Sequence, residues 1–489
     1  MRIAATVTLC GSLGGAALGC SVSKGGSPGT GGAAGSAGPS DAGGAGGTAG
    51  AGGAVGTDGA AGATEDGGSG SGVCISQASS TSPMIPTVGV VVWSTTLDGL
   101  TEAHIDFGLT TSYGMTAPVV IPQASYRTLL LGMKPATLYH YRISASNADG
   151  QCQSGDYTIK TGVLLNGLPQ VAVSPATAPG LSGGFLVTGQ YLATPGAGAE
   201  AYILDADGDF VWAYNIGTNV TSARMSYDGM YMWINNVNVG TGMSARVHRV
   251  SMDGFTDDDL SDTFTGLNHQ LTVLPDETVA FYAYNDAAGC DDIKEYSPSS
   301  GTVRTVVNSG TALGQTGGCH LNNIQYSPSD DALVFSDRDH DQVAKVRRSD
   351  GSTVWILGGT TSTLAGGVTW VGGQHGLHVV DPTRLLIFNN NDPSLGGTGP
   401  SSVLEVMIDA AANTASQVWT YTANPPQVNQ TLGDVQRMPN GNTMVGFSGK
   451  GLLQEVGADG TVLQSWSWPS PTEFGYIEKR ATLYGPPPK

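Results

Sequence analysis

The sequence predicts an all-β protein, a six-bladed β-propeller preceded by a small β-sandwich, and three observations carry the prediction. Apolar runs of strand length, separated by Gly, Pro, Asn and Asp turns, fill the chain from residue 74 onward, and helical periodicity is missing. Similar turn-and-strand anchors recur over the C-terminal two-thirds. They read DADGDFVWAY at Gly208, SMDGF at Gly254, SPSSGTVRTV at Gly301, RSDGSTVWIL at Gly351, DAAANTASQVW near Asn413 and GADGTVLQSW at Gly460. Their spacing, roughly 46 to 62 residues, suits one four-stranded sheet per unit, which is a propeller blade. Finally, 489 residues exceed what one hydrophobic core accommodates, so a second folded part is expected. Six units give six blades, or five or seven if a terminal unit is split.

The first 20 residues, MRIAATVTLCGSLGGAALGC, combine one Arg, a short apolar stretch and small residues. That is the profile of a signal peptide, and it is too rich in Gly for a stable membrane span. Ala17-Leu18-Gly19-Cys20 resembles a bacterial lipobox, in which Cys20 would be acylated and become the first residue of the mature chain. Ser21 after the Cys favours the outer membrane by the sorting habits of such lipoproteins. Ala17 stands where lipoproteins prefer Leu, so ordinary secretion with cleavage nearby is the alternative. Residues 21–73 are Gly, Ala, Ser and Thr with scattered acids, too poor in large apolar side chains to offset the entropy of ordering them. They read as a disordered tether with a span on the order of 40 Å. The expected location is therefore periplasmic or on the outer membrane or cell surface.

Charge narrows the partners. With 21 Lys+Arg against 40 Asp+Glu and no clustered basic stripe, neither nucleic acid nor an anionic membrane face is an expected partner, and the membrane is met only through the lipid anchor. An anionic substrate would be repelled at long range, so its site must concentrate positive charge and hydrogen-bond donors locally. Isolated Arg and His residues thereby become informative.

Residues 74–162 show short alternating strands such as TVGVVVWSTT and EAHIDFG. In GMKPATLYHYRISASNADG, Tyr139, Tyr141, Ile143 and Ala145 point one way and His140, Arg142 and Ser144 the other, as a half-buried strand requires. Pro135, Thr137 and Tyr139 match the Pro-x-Thr-x-Tyr stretch of fibronectin type III modules, which this segment resembles and in which the Tyr hydroxyl ties a corner to the backbone. Such modules are usually spacers, and His104 and His140 read as surface residues.

Residues 165–489 hold the six units. In an up-and-down blade, the loop entering the innermost strand and the loop between the second and third strands lie on the same face. His269 in GLNHQLTVLP, His320 in GGCHLNNIQYSP and His375 in GGQHGLHVVDP each stand at the start of an inner strand, in three consecutive blades. Arg338, in LVFSDRDHD, follows the second strand of the blade that His320 opens. All four should converge on one axial mouth. A histidine alone in such a domain is more often structural, satisfying backbone groups, but three at equivalent register point to chemistry.

The stretch HLNNIQYSPSDDALVFSDRDHDQVAKVRRSDGSTVWILGG, with its His, its later Arg and its Gly-x-x-x-Trp-x-Leu-Gly-Gly close, resembles the arylsulfate sulfotransferase family. QHGLHVVDPTRLLIFNNND, NHQLTVLPDETVAF and VQRMPNGNTMVGF resemble further blocks of that family, so the likeness covers about residues 165 to 470. Asp276-Glu277 replaces the usual Asn-Gly turn, and Gly376 replaces an acidic residue often found after the blade-five His. The resemblance implies nucleotide-independent transfer of a sulfuryl group from an aryl sulfate to a phenol, with no cofactor. It implies that His375 is the nucleophile and that His320, Arg338 and His269 hold the sulfuryl oxygens and handle the phenolic proton, with Asn322 as an additional substrate contact. These residue types suit the reaction: a loose transition state is stabilised by positioning and cations, and a neutral imidazole is a competent nucleophile near pH 7. A homodimer is compatible with the sequence.

His378 should face the opposite side of its strand and pack, while His340 and His248 carry no assigned role. Asp337-x-Asp339-x-Asp341 resembles a calcium loop but lacks its Gly and Glu, so a solvated turn and no metal are expected. Beyond Cys10 and Cys20, four cysteines remain in a compartment that permits disulfides. Cys290 and Cys319 should share the mouth face, beside His320. Cys74 and Cys152 bracket the small domain, where a bridge would contribute roughly 4 kcal/mol in the chain-entropy model; free thiols are the alternative. Two other functions compete. One is a non-catalytic surface propeller that binds a glycan, peptide or protein; the other, a quinoprotein-like enzyme, has no clear metal-ligand constellation to support it.

Overall fold

The computed structural model describes residues 74–121, 125–164, 167–175, 178–192, 200–237, 245–285 and 287–487. The expected leader (1–20), the tether (21–73) and Cys20 lie outside the described residues.

A two-residue period builds the N-terminal part. Strand Leu138–Ser146 buries Tyr139, Tyr141, Ile143 and Ala145 and leaves His140, Arg142 and Ser144 partly exposed. It lies in a sheet ordered Met115–Pro118, Glu102–Gly108, Leu138–Ser146 and Gln151–Gln153, with Tyr157–Lys160 pairing elsewhere along it. A second sheet, Ile75–Thr81, Gly89–Thr95 and Tyr126–Leu130, shares its core around Trp93, Ile105, Phe107 and Ile143. The Cys74–Cys152 disulfide joins the two sheets near their ends. The Tyr139 hydroxyl accepts from the Lys134 N–H at 2.8 Å and ties the preceding corner. His104 and His140 are partly exposed, against Asp106 and Asp156.

From Ala172 to Arg480 every described strand joins one of six antiparallel sheets of four or five strands. Four of the sheets are simple four-strand meanders. The third, for example, runs Leu267–Val273, Val279–Ala283, Asp292–Ser297, Thr302–Asn308, and the fourth Leu321–Ser327, Ala332–Asp337, Gln342–Arg347, Thr353–Gly358. The first and sixth borrow strands from the opposite chain ends. Glu473–Phe474 and Glu478–Arg480 pair with Phe185–Leu192 of the first sheet, and Ala172–Ser174 pairs with Val462–Ser467 of the sixth. This exchange closes the ring and removes sheet edges that would otherwise stay open.

Each blade packs on neighbours through both faces, so second strands such as Ala332–Asp337 and Thr443–Phe447 are buried along their whole length. Tyr282 and Ile293 of the third sheet meet Leu333, Phe335 and Ala344 of the fourth. Leu186 and Tyr202 of the first meet Met444, Leu453 and Trp466 of the sixth, and Trp468 Nε1 donates to Tyr202 Oη at 2.8 Å across that junction. Each of the Leu, Ile, Phe and Met side chains among them contributes about 1.5–3 kcal/mol on burial. At the Asp276-Glu277 turn, Glu277 takes the left-handed φ of 62° that Gly would adopt at lower cost. Its carboxylate accepts from the Asp228 N–H at 2.8 Å, a contact Gly could not make.

The sandwich is bonded to the propeller rather than held as a loose spacer. Thr87 Oγ1 donates to the Val211 carbonyl at 2.7 Å, Arg127 pairs with Asp253 at 2.5 Å, and Lys134 meets Asp205, Asp207 and Asp209 at 3.2, 2.7 and 2.6 Å. Tyr484, just beyond the closing strand, donates through its hydroxyl to the Leu129 carbonyl at 2.9 Å and accepts from the Leu131 N–H at 2.7 Å.

Candidate active site

The innermost strands of the third, fourth and fifth sheets, Leu267–Val273, Leu321–Ser327 and Gln374–Asp381, are neighbours, and His269, His320 and His375 stand at their leading ends. The His269 ring centroid lies 5.1 Å from that of His320 and 6.1 Å from that of His375. His269 and His375 are 7% and 5% exposed, so the cluster is largely shielded from bulk water. His269 adopts a left-handed φ of 48°, a conformation that costs a non-Gly residue energy and is concentrated at functional sites.

Arg338 follows the second strand of the fourth sheet, and backbone bonds lock it to His320. Its N–H donates to the His320 carbonyl at 2.9 Å, and the His320 N–H donates to Asp337 Oδ1 at 2.9 Å. The guanidinium side chain is 13% exposed, with Nη1 3.1 Å from Asp339 Oδ1 and Nη2 3.8 Å from Asp392 Oδ2. Asp392 is itself bound by the Ser394 N–H at 2.8 Å and by Gln430 Nε2 at 3.0 Å. That leaves Arg338 a loose partner there and fork donors to offer an anion.

Burial and then the adjacent Arg338 push His375 down to about 3. Burial, reinforced by His320, His375 and Arg338, holds His269 well below the usual histidine range. Burial also lowers His320, though Asp339 and Asp337 oppose the shift. Near neutral pH, His269 and His375 are therefore uncharged imidazoles. A ring beside a lasting cation is poorly placed to take a proton and well placed to offer a lone pair.

Asn322, expected as a substrate contact, is bonded within the protein. It is fully buried, its Nδ2 donates to the Gln374 carbonyl at 2.5 Å, and its Oδ1 accepts from Ser336 Oγ at 2.7 Å. With both ends of its amide bonded to protein, it ties the fourth blade to the strand carrying His375. Asp337 corrects one expectation. Rather than part of a solvated turn, it is fully buried and accepts from the His320 N–H, the Asp339 N–H and His340 Nδ1. Asp341 Oδ1 accepts from the Gly373 N–H at 2.8 Å. The acidic run thus shapes the loop that carries Arg338 and braces the approach to His375.

Two groupings of potential metal ligands occur among the described residues, and both are occupied by the protein. Cys319 sits with Asp337 and His340, but its sulfur is bonded to Cys290; Asp205, Asp207 and Asp209 surround Lys134. The Cys290–Cys319 bridge lies directly before His320 and fixes the backbone there. His378 packs, accepting from the Arg437 N–H at 2.9 Å, and His248 pairs with Asp257 at 2.7 Å. A cavity of about 640 Å³ opens among the opposite ends of the inner strands, with Val273, Ser327, His378 and Asp381 in its wall, so it is separate from the histidine cluster.

One further group is absent from the sequence-based expectations. Asn390 Oδ1 lies 2.7 Å from His375 Nδ1. It follows the second strand of the fifth sheet, Arg384–Asn389, at the register Arg338 holds in the fourth, so the loop argument that singled out Arg338 reaches it too.

Residues 314–473 match the arylsulfotransferase (ASST) family, a span that includes His320, Arg338, His375 and Asn390 and begins after His269. No curated protein matches the chain. Among solved structures, the periplasmic gluconolactonase PpgL of Pseudomonas aeruginosa is 15% identical, covering 68% of this chain and 94% of its own length, with a TM-score of 0.39. The β-propeller domain of Cps50 (Swd1) from Myceliophteria thermophila is 9% identical, covering 58% of this chain and 84% of that one, with a TM-score of 0.37.

Proposed function

We propose, from the arylsulfotransferase family match of residues 314–473, that this protein transfers a sulfuryl group from an aryl sulfate ester to a phenol through a sulfated histidine. The observation that carries the reading is the meeting of three imidazoles, 5.1 and 6.1 Å apart, beside the nearly buried guanidinium of Arg338.

In the first half-reaction, His375 Nε2 attacks sulfur. An N–S bond forms as the S–O(aryl) bond breaks, and its electron pair leaves on the phenolate oxygen. His320 protonates that oxygen; burial and Arg338 lower its pKa, but it is the least buried of the three histidines and the only one that Asp339 and Asp337 draw back toward its charged form. Arg338 and His269 hold the equatorial sulfuryl oxygens as charge spreads over them in a loose transition state. In the second half, His320 takes the proton of the acceptor phenol, the phenolate oxygen attacks sulfur, and the N–S pair returns to His375. Asn322 keeps the blades in register.

The two disulfides fit an oxidising compartment, and with the leader they support export to the periplasm or outer membrane, with Cys20 as the anchor. The test is release of 4-nitrophenol from 4-nitrophenyl sulfate by purified protein, with and without added phenol. Release stimulated by phenol, and lost in His375→Ala, is the expected result; activity retained in that variant overturns the assignment of the nucleophile.

A further inference from the structure

We propose that Asn390 is a positioning residue that holds His375 in the tautomer with hydrogen on Nδ1, leaving the Nε2 lone pair to attack sulfur; this rests on the sulfuryl-transfer reading of His375. A 2.7 Å contact between an imidazole nitrogen and an amide could run in either direction, because an amide can present its oxygen or its NH2 group. The surroundings of Asn390 remove that freedom. Its Nδ2 lies 2.8 Å from the Asn429 carbonyl and 2.7 Å from the Leu432 carbonyl, and both of those oxygens can only accept. Rotating the amide would set its oxygen against two carbonyl oxygens in a buried setting and forfeit two hydrogen bonds. Oδ1 therefore faces the ring, and Nδ1 must carry the hydrogen.

The frame behind the amide is rigid. Ser401 Oγ donates to the Asn390 carbonyl at 2.6 Å and accepts from the Asn429 N–H at 2.8 Å. Leu432 takes a left-handed φ of 52°, a conformation a branched residue adopts only when its surroundings impose it. Asn268, beside His269, has no such anchor on its amide nitrogen among the described residues, so His375 alone of the three histidines has its tautomer set by a braced amide.

The choice of an amide bears on the intermediate. When Nε2 gains the sulfuryl group while Nδ1 keeps its hydrogen, the ring is cationic and the N–S bond is activated for the return transfer. A weakly basic amide oxygen accepts the hydrogen bond without removing the proton. A carboxylate at this position would draw the proton off and leave a neutral, less reactive N-sulfoimidazole.

Two measurements test this. In protein with 15N-labelled histidine, two-bond 1H–15N correlations distinguish the tautomers, and the His375 signals are those missing from His375→Ala. The proposal requires the Nδ1–H pattern at neutral pH; an Nε2–H pattern overturns it whatever the aryl sulfate assay reports, so its failure is separable from failure of the sulfuryl-transfer reading. In Asn390→Ala, with folding checked by thermal melting, kcat should fall about 10²- to 10⁴-fold with KM little changed. A folded variant with unchanged kcat overturns the proposal, and if the variant does not fold, the wild-type spectrum still decides.

Discussion

At the scale of single residues, the site is a problem in keeping nitrogen lone pairs available beside a permanent cation. His375 is buried and faces Arg338, and its folded-state pKa of about 3 lies below the ordinary 6.5. The sign follows directly: in the proposed mechanism the neutral ring is the nucleophile, so its reactivity is lost only as pH falls through the depressed value. The first half-reaction, read as the burst of 4-nitrophenol, should not decline between pH 7 and about pH 5, since His375 stays neutral there and His320, as the acid, only gains protons. A burst that declines with a midpoint near 6.5 would mean that His375 titrates normally or is not the attacking group. The three histidines and Arg338 were legible in the sequence because their positions at strand starts and in a second-to-third-strand loop force them onto one face. Asn390 obeys the same rule, but an Asn in a run of Asn and Asp looks like ordinary turn chemistry. Asn322 was only partly legible, for another reason. Its proximity to His320 could be read from the sequence, but the claim of the Gln374 carbonyl on its amide depends on a strand 52 residues away.

At the scale of elements, the recurring Asp-Gly and Ser-Gly anchors made the meanders visible, since each marks the turn before a fourth strand. The ring closure was not legible. Glu473–Phe474 and Glu478–Arg480 are short, and they join a sheet nearly 300 residues upstream, so no local pattern announces them. Tyr484 secures the chain just past that closure. Tyr484→Phe would leave the Leu131 N–H without its acceptor and the Leu129 carbonyl without this donor. The expected cost is about 1–3 kcal/mol, read as a lowered thermal midpoint. An unchanged midpoint would indicate that water replaces the hydroxyl and that the sandwich does not brace the C-terminal segment.

At the scale of the whole molecule, the proposed reaction asks an acidic chain of net charge −19 to receive an anionic substrate, and donors gather at one axial mouth, where the inner ends of three adjacent blades bring Arg338 and three imidazoles together. The surrounding fold supplies rigidity: closed sheets, a disulfide before His320, and a sandwich bonded to the first blades. The central claim is the covalent intermediate, and the direct measurement is mass spectrometry of protein quenched after exposure to 4-nitrophenyl sulfate with no phenol present. The account predicts one acid-labile sulfuryl group on the peptide containing His375, absent from His375→Ala and discharged when phenol is added. Rapid turnover with no modified His375, or a sulfuryl group on another residue, would contradict it.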